Sequence, residues 1–153
     1  MINLTDSDIK KSTKILETLL ANTYLLALKT QNYHWNIVSP NFTMLHELFG
    51  NQYEALSDAI DEIAERIRML GERTPATFYK FLKLTTLTEN DDIKIAEAMI
   101  TTLLNDHEQL ILELRTTLKA LDDSDDEGTI DFLIGRLREH EKTAWMLRSH
   151  LSL

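Results

Sequence analysis

Apolar residues recur at three- and four-residue intervals along most of the chain, which is the period of an amphipathic helix. The first such stretch begins at Thr5 or Asp6, either of which can cap a helix, and extends to about Asn36. Its apolar positions are Ile9, Ile15, Leu16, Leu19, Leu20, Tyr24, Leu26 and Leu28. The second stretch lies between Pro40 and Gly71. Its apolar positions are Leu45, Phe49, Leu56, Ile60, Ile63, Ile67 and Leu70. Both stretches predict long helices with one face turned to a core.

A connecting segment follows the second predicted helix. It begins at Gly71, a residue that commonly ends a helix, and it contains Pro75. The apolar piece from Phe78 to Leu84 predicts a brief helix inside it. The roughly 20 residues of this segment can span about 60 Å when extended, which is longer than any one helix here. The third helix can therefore run parallel to the second.

Two more long helices complete the predicted fold. The third is expected from Asp91 or Asp92 to about Leu121, and the fourth from about Thr129 to Leu151. An acidic turn separates them. Four long helices with one long crossover, which carries a short helix, predict an all-α bundle of the ferritin-like type.

Composition supports a helical protein and sets limits on its function. The 153 residues, 43% of them hydrophobic, suffice for one domain spanning residues 1–153. Four glycines and two prolines favour helices over strands, and the absence of cysteine excludes disulfides and thiolate metal sites. The amino terminus lacks the features of a signal peptide, and no apolar run reaches membrane-spanning length. We therefore expect a soluble, cytoplasmic protein with no membrane partner. A net charge of −9 opposes binding to DNA and favours cations as ligands.

Four residues of metal-binding type lie on the first two predicted helices. His34 ends the first helix, and His46, Asp61 and Glu65 lie on the second. Imidazole nitrogen with carboxylate oxygen suits iron(II), manganese or zinc. His46 and Asp61 are about 22 Å apart along a straight helix, so they cannot bind the same ion within one subunit. A twofold axis near the middle of the second helix would bring His34 and His46 of one chain to Asp61 and Glu65 of another. The spacing predicts a site shared between subunits.

The segments around these residues resemble a known family. QNYHWN, HELF and DAIDEIAERIRMLG are similar to motifs of the Dps family of mini-ferritins, and LIGRLREHEKTAWMLRSHL resembles the last helix of that family. The resemblance extends over nearly the whole chain. It implies that His34, His46, Asp61 and Glu65 form an intersubunit ferroxidase centre. The family pattern places an acidic residue four positions after the second histidine, and Gly50 stands there in this chain.

The resemblance also implies a function. It implies a homododecameric hollow shell that oxidises iron(II), with hydrogen peroxide as the preferred oxidant, stores the ferric product and protects against oxidative stress. Trp35, directly after His34, would take part in electron transfer near the centre. Asp126 and Asp131 would line an acidic pore at a threefold axis. DNA binding is not expected, although some surface created by assembly could still associate with the nucleoid.

Each of these residues also has an ordinary structural interpretation. Asp61 and Glu65 can belong to a solvated face with ion pairs one turn apart, Trp35 can be a packing anchor, and the acidic turn can simply cap the last helix. His107, His140 and His150 are expected to face solvent and receive no metal role. The Glu-x-x-His element of di-iron bundles does not occur. Two alternative functions stay open. The chain could form a non-enzymatic shell with a weakened centre, or a shell that buffers another divalent metal.

Overall fold

Five helices make up the computed structural model, which describes residues 2–152. They are α1 (Asp6–Asn36), α2 (Phe42–Met69), α3 (Phe78–Leu84), α4 (Ala96–Ala120) and α5 (Glu127–Arg148). The described range contains no strand, and none of its helices is both long and apolar enough to cross a membrane. α1 packs along α2, α4 packs along α5, and α3 lies against α1. The predicted all-α bundle, with a short helix in its long crossover, is confirmed.

The predicted ends of the first two helices agree with the structure. The Thr5 hydroxyl accepts a hydrogen bond from the backbone N–H of Asp8 at 3.1 Å, which makes Thr5 the N-cap of α1. α2 ends in a Schellman motif, in which the N–H groups of Gly71 and Glu72 bond back to the carbonyls of Arg68 and Ile67. Gly71 has a φ of 91°, a conformation that costs little only for glycine.

The predicted limits of the last two long helices were partly wrong. α4 begins at Ala96 rather than at Asp91 or Asp92, because Ile95 is extended and Ile93 packs its side chain against the core from a non-helical segment. α5 begins at Glu127, two residues earlier than predicted, and ends at Arg148 instead of Leu151. A capping residue in the sequence marks a possible start, but packing selects the actual one.

A hydrophobic core fills the bundle in two clusters. One joins the end of α1 and the start of α2 to α4 and α5 and includes Tyr33, Phe49 and Leu103; the ring centroids of Tyr33 and Phe49 are 6.2 Å apart. The other lies towards the opposite end and includes Leu16, Leu20, Ile63, Ile67, Leu121 and Leu133. The first cluster directly underlies the two predicted histidine ligands, since Tyr33 precedes one of them and Leu45 precedes the other.

Buried polar side chains fix the crossover to the bundle. The Asn22 side chain accepts hydrogen bonds from the Thr85 hydroxyl at 2.7 Å and the Thr86 backbone N–H at 2.8 Å. Lys29 forms a buried ion pair with Asp106 at 2.5 Å and donates to the Thr88 carbonyl at 2.8 Å. Since a buried charge requires a partner, these contacts hold the crossover at one position along α1.

His107 and His140 are buried, contrary to the prediction that they face solvent. Each is 1% exposed, and their Nδ1 atoms are 2.9 Å apart in a hydrogen bond between α4 and α5. The charged neighbours of both residues in the sequence suggested a surface position. The helical period nevertheless turns these two side chains inwards while Glu108, Glu139 and Glu141 point away from the core. His150 is exposed, as predicted.

We predict that acid destabilises the fold through this histidine pair. Burial, and to a lesser degree Arg136, lowers the pKa of His107 to about 3, and burial also lowers the pKa of His140 well below its ordinary value. Below about pH 6.5 the unfolded chain therefore binds more protons than the folded chain, so the free energy of unfolding falls as pH falls towards about 3. At about pH 5 the loss from His107 should reach about 2 kcal/mol, and His140 adds to it in the same direction.

Denaturant unfolding at neutral and acidic pH measures this loss. His140→Leu should reduce the pH dependence, whereas His150→Leu, at an exposed position, should leave it unchanged. Equal pH dependence in the wild type and His140→Leu would contradict the assignment.

Candidate metal centre

His34 and His46 lie side by side at the junction of α1 and α2. The short loop of residues 37–41 turns the chain back, so the last turn of α1 meets the start of α2. The two imidazole rings stack with centroids 3.8 Å apart and planes inclined by 15°. Buried Tyr33 and Leu45 anchor the backbone next to each histidine. The sequence predicted that these histidines approach each other, and the structure shows them in contact.

A reciprocal pair of hydrogen bonds fixes the orientation of both rings. His34 Nδ1 lies 2.6 Å from the His46 carbonyl oxygen, and His46 Nδ1 lies 2.7 Å from the His34 carbonyl oxygen. A carbonyl oxygen only accepts, so each Nδ1 must carry a proton and donate it. In the neutral ring this leaves the lone pair on Nε2. Histidines that bind metals are commonly oriented by such a bond from the other ring nitrogen to a carbonyl group.

Three further residues enclose the histidine pair. Phe42 stacks on His46 with centroids 5.0 Å apart, and the Tyr53 ring meets His34 edge-on at 5.2 Å. Gly50 lies against the His34 ring, since a Cβ atom at position 50 would lie 3.0 Å from its Cε1. Sequence analysis did not identify Phe42 and Tyr53. Helical spacing indicates them, because they lie one turn before and two turns after His46 on the same face of α2.

The two predicted carboxylates lie further along α2. Asp61 and Glu65 are exposed and one helical turn apart, so their side chains share a face. Within residues 2–152 neither forms an ion pair, and the neighbouring Arg66 binds Asp126 on α5 at 2.6 Å. The ion pairs expected for a solvated face are therefore not formed by these carboxylates, although a solvated face without ion pairs remains their ordinary structural interpretation.

One chain does not assemble these four side chains into a single cluster. α2 is one continuous helix, and the rise from His46 to Asp61 is about 22 Å. Among residues 2–152, no three histidine, aspartate or glutamate side chains come close enough together to bind a metal ion. Each chain therefore carries a histidine pair and a separate carboxylate pair. Sharing of the two pairs between subunits remains a prediction.

Comparisons with known proteins agree with this architecture. The ferritin-like domain family matches residues 13–153. A low temperature-induced, uncharacterized protein of Nostoc sp. is 45% identical over 152 residues, which cover 98% of this chain and 85% of that protein. DNA protection during starvation protein 2 of Bacillus anthracis is 36% identical over 94% of this chain and 98% of its own length. The chain belongs to the Dps family.

The fold comparison supports the same assignment. The crystal structure of the Dps protein from Vibrio cholerae O1 superposes with a TM-score of 0.94 at 33% identity, and the match covers 99% of this chain and 96% of that one. That protein is described as a member of a superfamily of ferritin-like diiron-carboxylate proteins. Iron storage and detoxification is the general function of ferritin-like Dps proteins.

The space beside Gly50 explains how this chain departs from the Dps pattern. The pattern has a carboxylate at that position, whereas here the His34 ring covers the helix backbone. Any side chain at position 50 must push the ring back by a few tenths of an ångström, against its stacking and its bond to the His46 carbonyl. Glycine is therefore the residue that fits the observed histidine pair. The sequence shows that a ligand is missing, but only the structure shows what occupies its place.

Trp35 lies on the surface of the chain next to His34. Its side chain is 62% exposed and lines a surface hollow with Leu28, Phe78 and Leu82. It is therefore not a packing anchor within its own chain. A role for Trp35 in electron transfer, predicted from the resemblance to Dps proteins, stays a prediction.

The two predicted pore residues differ in their surroundings. Asp126 is 2% exposed, accepts a hydrogen bond from the Thr129 backbone N–H and pairs with Arg66, so it is the N-cap of α5. Burial by itself would raise the pKa of Asp126, but hydrogen bonds from Thr129 and the charge of Arg66 act in the opposite direction, and the net shift is downwards. Within a single chain this carboxylate is enclosed and paired, and its pore role at a threefold axis stays a prediction. Asp131 is exposed, and its pore role stays a prediction.

Proposed function

We propose that this Dps-family chain is an iron-storing mini-ferritin that oxidises iron(II) with hydrogen peroxide at centres shared between subunits. The ferric product is stored inside a hollow dodecameric shell in the cytoplasm. The observation that carries the proposal is the stacked pair of His34 and His46, whose mutual Nδ1 bonds leave both Nε2 lone pairs available to a metal ion. Membership of the Dps family makes iron the expected substrate.

The proposed centre combines the histidine pair of one chain with the carboxylate pair of its twofold partner. Asp61 and Glu65 supply negative charge, which stabilises iron(III) relative to iron(II), and Glu65 is the proposed bridging residue. His34 and His46 supply neutral nitrogen ligands. Two iron(II) ions give up one electron each, and hydrogen peroxide takes both electrons and two protons to form two molecules of water. Consuming the peroxide in a two-electron step limits the formation of hydroxyl radicals.

The rate of iron(II) oxidation by peroxide tests the proposal. The absorbance of the ferric product should rise faster with the wild-type protein than without protein. The His34→Ala/His46→Ala variant should lower the rate to that of protein-free solution, because both nitrogen ligands are lost. His150→Ala is the matched control, since His150 is exposed and lies outside the centre. A wild-type rate equal to that of protein-free solution would instead support a non-enzymatic shell with a weakened centre.

The remaining alternative is a shell that buffers another divalent metal, because imidazole and carboxylate ligands also suit manganese and zinc. Anaerobic titration of iron(II), with each competing metal present, separates this case. Preferential binding of a metal other than iron(II) would assign the shell to metal buffering.

We predict that Asp131 assists iron entry. Three copies around a threefold axis would concentrate negative potential at a narrow opening and attract iron(II). Asp131→Asn should slow iron uptake at low ionic strength and leave assembly intact. Asp122→Asn, at an exposed position in the turn before α5, is the charge-matched control. An unchanged uptake rate in Asp131→Asn would remove this residue from the entry path.

We predict weak or no DNA binding at physiological salt. Twelve chains at −9 carry a total charge of about −108, which repels the phosphate backbone. Lys10, Lys11 and Lys14 lie close together in the first turns of α1, and three positive charges per chain are too few to offset this repulsion. Gel-shift assays over a range of salt concentrations measure this. Firm retardation at about 0.15 M salt near neutral pH would contradict it.

A further inference from the structure

Two aromatic residues of α2, Phe42 and Tyr53, flank the histidine pair of the proposed centre. Phe42 lies one helical turn before His46 and Tyr53 lies two turns after it, so the three residues share one face of α2. Phe42 is 45% exposed and Tyr53 is half-buried. Neither ring belongs to either of the two core clusters. Packing of the core therefore does not explain why two aromatic rings lie here.

The four rings form a continuous row of contacts. Phe42 stacks on His46 with planes inclined by 23°, and His34 stacks on His46 with planes inclined by 15°. One face of an imidazole cannot take two nearly parallel rings, so Phe42 and His34 lie on opposite faces of His46. The Tyr53 ring meets His34 at 64°, with centroids 5.2 Å apart. The two histidines are thus the inner members of the row, and each contacts one further aromatic ring.

The Nδ1 hydrogen bonds alone hold the histidine rings weakly. The torsion angle about the Cβ–Cγ bond of histidine has two broad minima, so a ring can turn over by about 180°. His34 and His46 are both half-buried. A hydrogen bond at such a position is a modest restraint, because water competes for its donor and its acceptor. A contact with an aromatic ring adds a restraint that water does not replace.

The orientation of each ring decides whether it can bind a metal ion. A ring that has turned over places Cε1 where Nε2 was, and carbon is not a ligand. A Cβ atom at position 50 would lie 3.0 Å from Cε1 and 3.1 Å from Nδ1 of His34, but 4.0 Å from its Nε2. Gly50 therefore borders the other side of the ring and leaves Nε2 more open. The apparent affinity for a metal ion falls in proportion to the fraction of rings in the binding orientation.

We propose that Phe42 and Tyr53 are positioning residues, which hold the rings of His46 and His34 in the one orientation that presents Nε2 to a metal ion. The inference rests on the proposed function, because it takes His34 and His46 as iron ligands. Phe42 and Tyr53 do not bind the metal and act only through the histidine that each contacts. α2 supplies three of the four rings, so the pair is oriented before iron arrives.

Atomic-resolution crystal structures of the iron-free protein, which distinguish ring nitrogen from ring carbon, test the proposal without iron. The wild type and Tyr53→Phe, which keeps the aromatic ring, should show His34 in one orientation. Tyr53→Leu should show it in two, and Phe42→Leu should do the same for His46. Tyr79→Leu makes the matched change at an exposed position on α3 and should leave both histidines unchanged.

Anaerobic calorimetry with iron(II) provides a second readout. Phe42→Leu and Tyr53→Leu should each weaken iron(II) binding about threefold, and the double variant about tenfold, which is the range expected when one or two aromatic contacts are lost. Tyr53→Phe and Tyr79→Leu should bind iron(II) as the wild type does. The loss of affinity in each variant should match the fraction of turned rings in its crystal structure.

Three results would overturn the proposal. The first is a single orientation of both histidines in the double variant Phe42→Leu/Tyr53→Leu. The second is a loss of affinity without turned rings, which would indicate a general structural effect. The third is an equal loss in Tyr53→Phe and Tyr53→Leu, which would assign the effect to the hydroxyl group.

The two readouts separate this proposal from the proposed function. If the wild type neither binds nor oxidises iron(II), the proposed function fails, and the ring orientations in iron-free crystals still decide whether Phe42 and Tyr53 position the histidines. If Tyr53→Leu fails to fold, Phe42→Leu, at a more exposed position, decides the question for His46.

Discussion

Mixing two inactive variants should restore iron oxidation. His34→Ala/His46→Ala lacks the nitrogen ligands, and Asp61→Ala/Glu65→Ala lacks the carboxylates, so neither variant should oxidise iron faster than protein-free solution does. When the two are dissociated and reassembled together, each mixed dimer joins intact histidines of one chain to intact carboxylates of the other. Random pairing makes half of the dimers mixed, with one intact centre of two. We therefore expect about one quarter of the wild-type rate.

A second mixture provides the control. In a mixed dimer of His34→Ala and His46→Ala single variants, every centre lacks one histidine, because both histidines of a centre come from the same chain. This mixture should not regain activity beyond that of its components. Mass spectrometry of the assemblies, with one variant isotopically labelled, verifies that subunits have exchanged. No recovery in the first mixture despite exchange would exclude a shared centre.

The sequence was sufficient for the parts of this protein that depend on local pattern. The apolar stripes of α1 and α2 have the helical period over many turns, and Thr5 and Gly71 carry the side chain or backbone freedom that helix ends need. The separation of His46 and Asp61 follows from helix geometry alone once α2 is known to be continuous. The prediction of a histidine pair at one end and a carboxylate pair further along α2 therefore required no tertiary information.

Features that depend on tertiary contact were not predictable in the same way. Ile93 lies in a segment that was predicted to be helical, but in the structure it packs against the core from outside α4, and Ile95 is extended. Asp126 belongs to an acidic turn that looks solvated, yet Arg66 reaches it from α2. His107 and His140 are surrounded by acidic residues in the sequence, and only the packing of α4 on α5 shows that they meet. In each case a residue distant in sequence determines the environment.

At Gly50 the sequence pattern and the tertiary contacts lead to different expectations, and the difference supports a second prediction of large effect. From the sequence alone, Gly50→Asp would be expected to add the carboxylate of the Dps pattern, strengthen metal binding beside His46 and speed oxidation. In the structure, a Cβ atom at this position would lie 3.0 Å from Cε1 and 3.1 Å from Nδ1 of His34. The ring must therefore move by a few tenths of an ångström, against its stacking on His46 and its bond to the His46 carbonyl. We now expect Gly50→Asp to slow oxidation at least about tenfold, the usual cost of disturbing the residues that orient a metal ligand.

Gly50→Ala separates the steric effect from the added charge, because alanine brings the Cβ atom but no ligand. It should slow oxidation about as much as Gly50→Asp if displacement of His34 is the cause. Gly135→Ala is the matched control, since a Cβ atom there meets nothing within 4 Å. In that variant, the activity should stay unchanged and the stability of α5 should rise by up to about 1 kcal/mol, the propensity advantage of alanine over glycine.

Anaerobic calorimetry with iron(II), followed by stopped-flow oxidation, measures binding and rate for all three variants. Faster oxidation in Gly50→Asp together with slower oxidation in Gly50→Ala would show that the new carboxylate outweighs the displaced imidazole, and that His34 moves more easily than its contacts indicate.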